Sequence, residues 1–337
     1  RKLKMGMNMM NIINQRNSLL TDMMAGIERA YPQLKRSAQT RGFSDRAFHD
    51  QNIPVISGGG SGHEPADWGF VGSGMLTGAI MGEVFTPPTA DEIVAFVSQI
   101  TDRQQVFLIV KNFPADVANF TQAKQQLTAS GWEVGMCVVT DDISVDNASL
   151  KKRRRGVAGT AFVAKIIGEA AREGATMEQL NELATQLLTE VKTIGVAFSG
   201  AYIPASNQQT FYLQDDEIFY GAGIHGEPGY RKEKFQSSEL LAEELVKKLQ
   251  LNFRWRPGET YAVLVNSLGG ITTMESMIFN NDVLQLLELE NIAVAFDKVG
   301  TFMAANRMRG LSLTLLRLHD EQWLTALNAT VNTPAWN

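Results

Sequence analysis

The chain has 337 residues, of which 44% are hydrophobic and 20% charged, and this is enough apolar material for two globular domains of ordinary size. Its formal net charge of −5 argues against direct binding to nucleic acid or to an anionic membrane surface. No apolar run approaches the roughly 20 residues that a membrane-spanning helix needs. The single cysteine, Cys137, excludes an internal disulfide and is expected to pack as a small apolar side chain in a buried strand of a cytoplasmic protein.

The first half of the chain alternates between predicted strands and helices. Residues 1–16 are interpreted as an N-terminal arm or the remnant of a tag, and Asn17 is expected to cap a helix that extends to Tyr31. A buried strand at 53–56 is expected to end in a glycine-rich loop at 57–65. Further strands are predicted at 106–110 and 133–139, and helices at 90–101, 115–130, 157–173 and 176–192.

The second half has the same alternation. Strands are predicted at 194–198, 261–266, 292–298 and 311–318, with short β-like runs at 209–213 and 217–220 before a second glycine-rich stretch at 221–229, and helices at 237–250 and 273–289. This order predicts an α/β fold with two domains, 17–192 and 193–337, each a sheet covered by helices. Ligands of such sheets lie beyond the carboxyl ends of the strands.

Two histidines lie in glycine-rich surroundings, and each is followed closely by Glu-Pro. His63 belongs to the stretch SGGGSGHEP at 57–65, and His225 belongs to GIHGEPG at 223–229. Glycine lets the backbone approach a small ligand, and the proline stiffens the exit from the loop. The repeated setting favours a ligand-binding role for both histidines, whereas a structural role is the interpretation for His49 and His319.

The glycine run at 58–62 does not fit a nucleotide-binding loop. Gly62 is followed by His63, and not by the lysine and Ser/Thr that hold phosphates and magnesium. A dinucleotide fingerprint fails as well, because its last glycine is missing. No spacing of His, Cys, Asp or Glu suits a metal ion, so neither a cofactor nor a metal is expected.

Lys111 and Asp116 follow the end of the strand predicted at 106–110. A lysine and a carboxylate five residues apart on one connecting segment can hydrogen-bond the hydroxyls of a polyol-like ligand. Their spacing alone, however, favours an exposed pair on the surface.

The two glycine-rich stretches, together with Lys111 and Asp116 and the run RRGVAGT at 154–160, resemble the substrate-binding K subunit of dihydroxyacetone kinases. The resemblance extends from about residue 17 to Trp336. It implies two α/β domains and a homodimer.

This resemblance also implies how a ligand is bound. In the family, dihydroxyacetone is held as a hemiaminal on the histidine that corresponds to His225, and hydrogen bonds come from the backbone at Gly60 and from His63, Lys111 and Asp116. In a kinase subunit, Asp116 would be the base for the hydroxyl that attacks phosphorus. A neutral imidazole nitrogen is a competent nucleophile toward a ketone, and His63 and Lys111 are expected to donate hydrogen bonds to the adduct.

Other stretches depart from the kinase pattern. Residues 266–277 are NSLGGITTMESM where kinase subunits resemble NGLGATPLMELY, and residues 301–310 place Arg307 where those subunits carry an acidic residue. Residues 151–155 form the basic run KKRRR, and residues 201–209 also differ. Because the ligand residues are kept while the outer surface changes, the chain resembles the DhaQ type of co-activator, which senses dihydroxyacetone and pairs with a TetR-like transcription activator.

The alternative is the substrate-binding subunit of a phosphotransferase-system-dependent dihydroxyacetone kinase. Such a subunit has no nucleotide site of its own and must dock a phosphoryl-donor partner, and Asp116 would remain available as its base. The basic run at 151–155 is equally consistent with a solvated surface.

Overall fold

The computed structural model describes residues 12–145, 154–204, 206 and 208–336. It confirms the predicted α/β fold, with two six-stranded sheets covered by helices. Two of the residues in the stretch 201–209 and three residues of the basic run, 151–153, lie outside the described residues. Within the described ranges, none of the helices has the length and apolar character required to cross a membrane.

The first sheet has the strand order β1-β2-β4-β3-β5-β6. Its strands are β1 (Leu34–Arg36), β2 (Gly42–Asp45), β3 (Val55–Ser61), β4 (Gly78–Val84), β5 (Gln105–Lys111) and β6 (Glu133–Val139). Strands β4, β3, β5 and β6 are parallel, so their carboxyl ends meet at one edge of the sheet. Cys137 is buried in β6 as expected, and burial raises the pKa of its thiol to about 12.

Helices cover both faces of this sheet. Its helices are α1 (Leu19–Ala30), α2 (Ala90–Ile100), α3 (Pro114–Ala129), α4 (Thr160–Arg172) and α5 (Met177–Glu190). Phe96 of α2 and Phe120 of α3 pack in one apolar cluster, while Phe162 of α4 and Leu187 of α5 belong to another. A parallel sheet needs cover on both faces because its strands are apolar on both sides.

The second sheet has the strand order β11-β10-β7-β14-β12-β13, and a separate two-stranded ribbon joins β8 to β9. The strands are β7 (Val191–Ala197), β8 (Tyr202–Ile203), β9 (Gln208–Gln209), β10 (Glu217–Tyr220), β11 (Arg231–Lys234), β12 (Thr260–Ser267), β13 (Ala293–Gly300) and β14 (Gly310–Arg317). The helices that follow β11 are α6 (Ser238–Phe253), α7 (Thr273–Leu289) and α8 (Glu321–Asn328).

A shared apolar core joins the two sheets. One face of the second sheet packs against α6 and α7, whose Leu249 and Phe279 are buried there. Leu264 and Leu316, by contrast, lie in the same cluster as Phe162 of α4. The loops of the two halves are therefore held against one another. One backbone hydrogen bond between them runs from Ala304 N to His63 O at 3.1 Å.

Several local predictions were wrong. Asn17 does not cap α1 as predicted. Helix α1 begins at Leu19 with Ser18 at its N-cap and no capping hydrogen bond from a side chain, and Asn17 lies in the preceding 3-10 turn. The run predicted at 209–213 is reduced to Gln208–Gln209. The chain also forms β1, β2, β4, β8, β11 and α8, which the pattern did not predict; β11 has the sequence RKEK and carries no apolar alternation to detect.

Candidate functional site

The glycine run is part of a strand and not a loop, contrary to the prediction. β3 continues through Gly58, Gly59 and Gly60 to Ser61, and its pairing with β4 shifts register between Gly59 and Ser61. Gly60 therefore occupies a bulge, and a Cβ atom there would lie 2.5 Å from the amide nitrogen of Thr86. Only glycine fits this close backbone approach. Gly60 itself is partly exposed.

His63 follows β3 directly and is 2% exposed. Its Nδ1 atom lies 2.9 Å from the carbonyl oxygen of Ala304, whereas its Nε2 atom is buried and has no hydrogen-bond partner among the described residues. Burial, together with the neighbouring His225, lowers the pKa of His63 to about 3, so the ring is neutral near pH 7.

This geometry corrects the predicted hydrogen-bonding role of His63. A neutral imidazole has one N–H, and here Nδ1 must carry it in order to donate to the Ala304 carbonyl. Nε2 is then an acceptor. His63 can accept a hydrogen bond from a ligand hydroxyl, where a donor had been expected.

Lys111 and Asp116 are both buried, with exposures of 2% and 4%, so the interpretation as an exposed surface pair was wrong. Lys111 ends β5, and its ammonium donates to Gly58 O at 2.9 Å and to Asp67 Oδ2 at 2.6 Å. Asp116 lies in the first turn of α3, where the helix dipole favours a carboxylate. Burial raises the pKa of Asp116, against the opposing charges of Lys111 and His225.

Both side chains approach β3 at the same point. A Cβ atom at Gly59 would lie 3.1 Å from Asp116 Oδ1 and 3.3 Å from Lys111 Cε. The parallel order of β3 and β5 brings these side chains together, because both strands end at the same edge of the sheet.

His225 reaches this cluster from the other half of the chain. Its ring centroid lies 4.8 Å from that of His63 and 4.1 Å from that of Phe113, in edge-to-face arrangements. Its side chain is 21% exposed, so the imidazole is accessible as well as enclosed. His225 N donates to Glu227 Oε2 at 3.2 Å, and its Nδ1 lies 3.6 Å from Glu227 Oε1.

Glu227 is held ionised beside this imidazole. Burial by itself would raise the pKa of Glu227, but hydrogen bonding and charge from His225 and the charge of Arg155 outweigh it and lower the pKa to about 2. An ionised carboxylate next to Nδ1 favours the tautomer that carries its proton on Nδ1. Nε2 of His225 is then the nitrogen with the free lone pair.

Sequence reasoning missed two residues that shape the site. Asp67 pairs with Lys111, and its second oxygen, Oδ1, is buried without a partner among the described residues. Phe113 packs its ring edge-on to His225. Neither had a motif to mark it, although Phe113 stands between the two residues, Lys111 and Asp116, that were singled out.

A groove of about 820 Å³ lies next to the site, between the start of α3 and the loop that carries His225. Phe113, Val117, Arg155, Glu227 and Tyr230 are among the residues that line it. Across the described parts of the chain, no group of three or more His, Cys, Asp or Glu side chains is arranged to hold a metal ion.

Comparison with known proteins gives close and nearly full-length matches. The Dak1 domain family matches residues 25–335. The DhaKLM operon coactivator DhaQ of Lactococcus lactis is 43% identical over 329 residues, covering 97% of this chain and 100% of that protein. The dihydroxyacetone-binding subunit DhaK of a PTS-dependent dihydroxyacetone kinase from the same organism is also 43% identical, covering 96% and 98% of the two chains.

A solved structure agrees with these matches. The structure described as the dihydroxyacetone kinase operon co-activator Dha-DhaQ superposes with a TM-score of 0.90 at 43% identity, covering 94% of this chain and 97% of that one. Because a co-activator and a kinase subunit are equally identical to this chain, overall identity does not separate the two functions.

Proposed function

Because the chain belongs to the Dak1 domain family, we propose that it binds dihydroxyacetone as a covalent hemiaminal on His225. The observation that carries this proposal is the meeting of His225 with the buried, unpartnered Nε2 of His63 at a ring separation of 4.8 Å. A buried polar atom without a partner costs free energy, and a ligand hydroxyl would relieve that cost.

The addition balances as follows. The Nε2 lone pair of His225 forms the C–N bond, the carbonyl π electrons move to oxygen, and that oxygen takes up a proton. The ring gives up its Nδ1 proton to solvent while Glu227 stays ionised, so the adduct is neutral overall. The imidazole carries positive charge during the addition, and the ionised Glu227 stabilises it.

The remaining groups select the ligand. The hydroxyls of dihydroxyacetone can meet the acceptor Nε2 of His63, the carboxylate of Asp116 and the backbone at Gly60. Lys111 holds Asp67 and the β3 backbone beside them and supplies positive charge near the developing oxyanion. Glycerol has hydroxyls but no carbonyl to attack, so covalent addition discriminates against it.

We further propose that the chain acts as a non-phosphorylating co-activator that pairs with a TetR-like transcription activator as a homodimer. Arg307 supports this proposal, because it is exposed on a loop that also contacts the ligand site. On that loop Asn306 N donates to Gly62 O at 2.9 Å, and Ala304 O meets His63. A partner that binds this loop could therefore respond to the state of His63.

A kinase subunit is the second candidate, because Asp116 is present and buried beside His225 and Lys111. A phosphoryl-transfer assay separates the two functions. The chain is incubated with dihydroxyacetone and purified phosphoryl-donor subunits, and dihydroxyacetone phosphate is measured. The co-activator proposal predicts no product; turnover at the rate of a kinase subunit would overturn it.

Replacing His63 with alanine is expected to weaken dihydroxyacetone binding by about 1 kcal/mol, or roughly fivefold, because one neutral hydrogen bond to the ligand is lost. The nucleophile remains, so the covalent adduct still forms. Isothermal titration measures the affinity. His63→Asn is the matched comparison, since its amide nitrogen can still donate to the Ala304 carbonyl while the shorter side chain places no acceptor at the position of Nε2. Unchanged affinity in both variants would remove His63 from the ligand contacts.

Reversing the charge at Arg307 is expected to change partner affinity more than ligand affinity. Arg307→Asp restores the acidic character of kinase subunits at an exposed position. Binding to the TetR-like activator and to dihydroxyacetone is measured for this variant and for Arg256→Asp, another exposed arginine. If ligand affinity falls more than partner affinity, Arg307 does not belong to the partner surface.

A further inference from the structure

Arg155 lies between β6 and α4, and its side chain contacts the loop that carries His225. Arg155 is 12% exposed, and its guanidinium donates to Asp142 Oδ2 at 2.7 Å, to Ser144 Oγ at 2.9 Å and to Gly221 O at 2.8 Å. Asp142 and Ser144 belong to the first half of the chain, whereas Gly221 begins the loop of His225. Arg155 therefore fixes the position of that loop relative to the first sheet.

The same guanidinium also contacts the carboxylate beside His225. Arg155 Nη1 lies 3.8 Å from Glu227 Oε2, the oxygen that accepts the backbone N–H of His225. The other oxygen of Glu227 faces Nδ1 of the imidazole. Arg155, Glu227 and the imidazole thus form a continuous chain of contacts.

Close packing around Gly223 keeps the Glu227 carboxylate and the Arg155 guanidinium near each other. A Cβ atom at Gly223 would collide with the Glu227 carboxylate and with the Arg155 guanidinium. The loop closes on itself through backbone hydrogen bonds from Gly226 N to Gly223 O at 3.0 Å and from Gly223 N to Glu227 O at 3.2 Å. A side chain at Gly223 would separate the two charged groups, which explains why glycine is required at this position.

We propose that Arg155 is a positioning residue for the hemiaminal reaction, acting through Glu227 to keep the proton of His225 on Nδ1 and the lone pair on Nε2. This inference rests on the proposed function, because it assigns a role within the same addition. Arg155 contacts neither the ligand nor the reacting atoms; it holds the carboxylate that selects the reactive tautomer. The run RRGVAGT thereby gains a physical role that the sequence alone did not provide.

The test compares Arg155→Gln, Glu227→Gln and the double variant in the full chain. Dihydroxyacetone labelled with ¹³C at its ketone carbon reports adduct formation, because that carbon changes from a carbonyl to a saturated centre. Each single variant is expected to weaken adduct formation by at least about tenfold, as misplaced reacting groups commonly do. The double variant is expected to form the adduct as well as the more impaired of the two single variants does. The two losses should not add, because both residues act through one chain of contacts.

A second readout does not involve the ligand. The ¹⁵N spectrum of His225 in the ligand-free protein reports its tautomer, and both single variants are expected to lower the share protonated at Nδ1. Arg155→Lys should recover part of the adduct. Arg317→Gln is the matched control, since Arg317 also pairs with two carboxylates, Glu190 and Glu259, but stands at the opposite end of β14 from the loop bonded to His63.

The outcomes distinguish the two proposals. If the wild-type chain forms no adduct, the proposed function fails, while the tautomer spectra still test the link from Arg155 to His225. If the wild-type chain forms the adduct and Arg155→Gln matches it, or if the two single losses add, the positioning role is overturned. Should Arg155→Gln fail to fold, Arg155→Lys and Glu227→Gln carry the test, because lysine keeps the positive charge at position 155 and the Glu227 side chain is 38% exposed.

Discussion

Replacing His225 with alanine is expected to abolish the covalent adduct with dihydroxyacetone and to weaken binding by at least about a hundredfold, or roughly 2.7 kcal/mol. The reason is that the proposed C–N bond forms on the imidazole of His225, whose side chain is 21% exposed and has a carboxylate beside Nδ1. His63 also has an unpartnered Nε2, but it is only 2% exposed, and its Nδ1 proton is directed at the Ala304 carbonyl, which cannot take that proton up. Alanine at position 225 leaves the rest of the cluster intact.

The measurement is the ¹³C spectrum of ketone-labelled dihydroxyacetone with the purified protein, together with a crystal soaked in the same ligand. His319→Ala is the matched control, because His319 is 53% exposed and pairs with Glu190 outside the site. A saturated carbon signal that persists in His225→Ala, or continuous density from the ligand to another side chain, would contradict the assignment. A wild-type crystal with the ligand beside an unbonded imidazole would contradict it as well.

Replacing Lys111 with alanine is expected to lower the free energy of unfolding by about 3–5 kcal/mol. Lys111 and Asp67 form a buried ion pair with an N–O distance of 2.6 Å and side-chain exposures of 3% and 6%. Removal of the lysine leaves the Asp67 carboxylate buried without its counter-charge and removes a donor to Gly58 O. A loss of this size would unfold a marginally stable domain.

Urea denaturation followed by circular dichroism gives the free energy of unfolding. Lys234→Ala is the control, because Lys234 also pairs with an aspartate, Asp216, but at an exposed position, and its loss should leave stability unchanged within error. Lys111→Met keeps the apolar part of the side chain, so its loss of stability reports the missing charge without the missing volume. If Lys111→Ala were as stable as the wild type, the pair would not contribute to holding β3 and β5 in place.

The proposed ligand-binding residues differ in how far the sequence could locate them. The glycine-rich setting of His63 and His225 singled out both histidines, and the tertiary structure brings their rings together from the two halves of the chain. Lys111 and Asp116 were ambiguous, because spacing along a chain does not report burial. Asp67 was missed since its role depends entirely on Lys111 reaching it in space.

Short-range patterns determined the elements with strong apolar periodicity and failed where none exists. β5, β6 and β12 were found within one or two residues of their bounds, because each is a continuous apolar run. The charged strand β11 and the glycine-rich end of β3 were not predicted as strands. Pairing with neighbouring strands makes them extended, and their side chains form no pattern that would indicate it.

By itself the sequence determined the α/β class, the family and the two glycine-rich stretches that carry His63 and His225, since these depend on residue types and local periodicity. The tertiary structure alone decided which atoms are free to react. The carbonyl of Ala304 orients His63 so that Nε2 accepts, and Arg155 contacts Glu227, whose carboxylate lies beside Nδ1 of His225. These contacts join residues far apart in the chain, and the protonation of an imidazole is set by its neighbours in space.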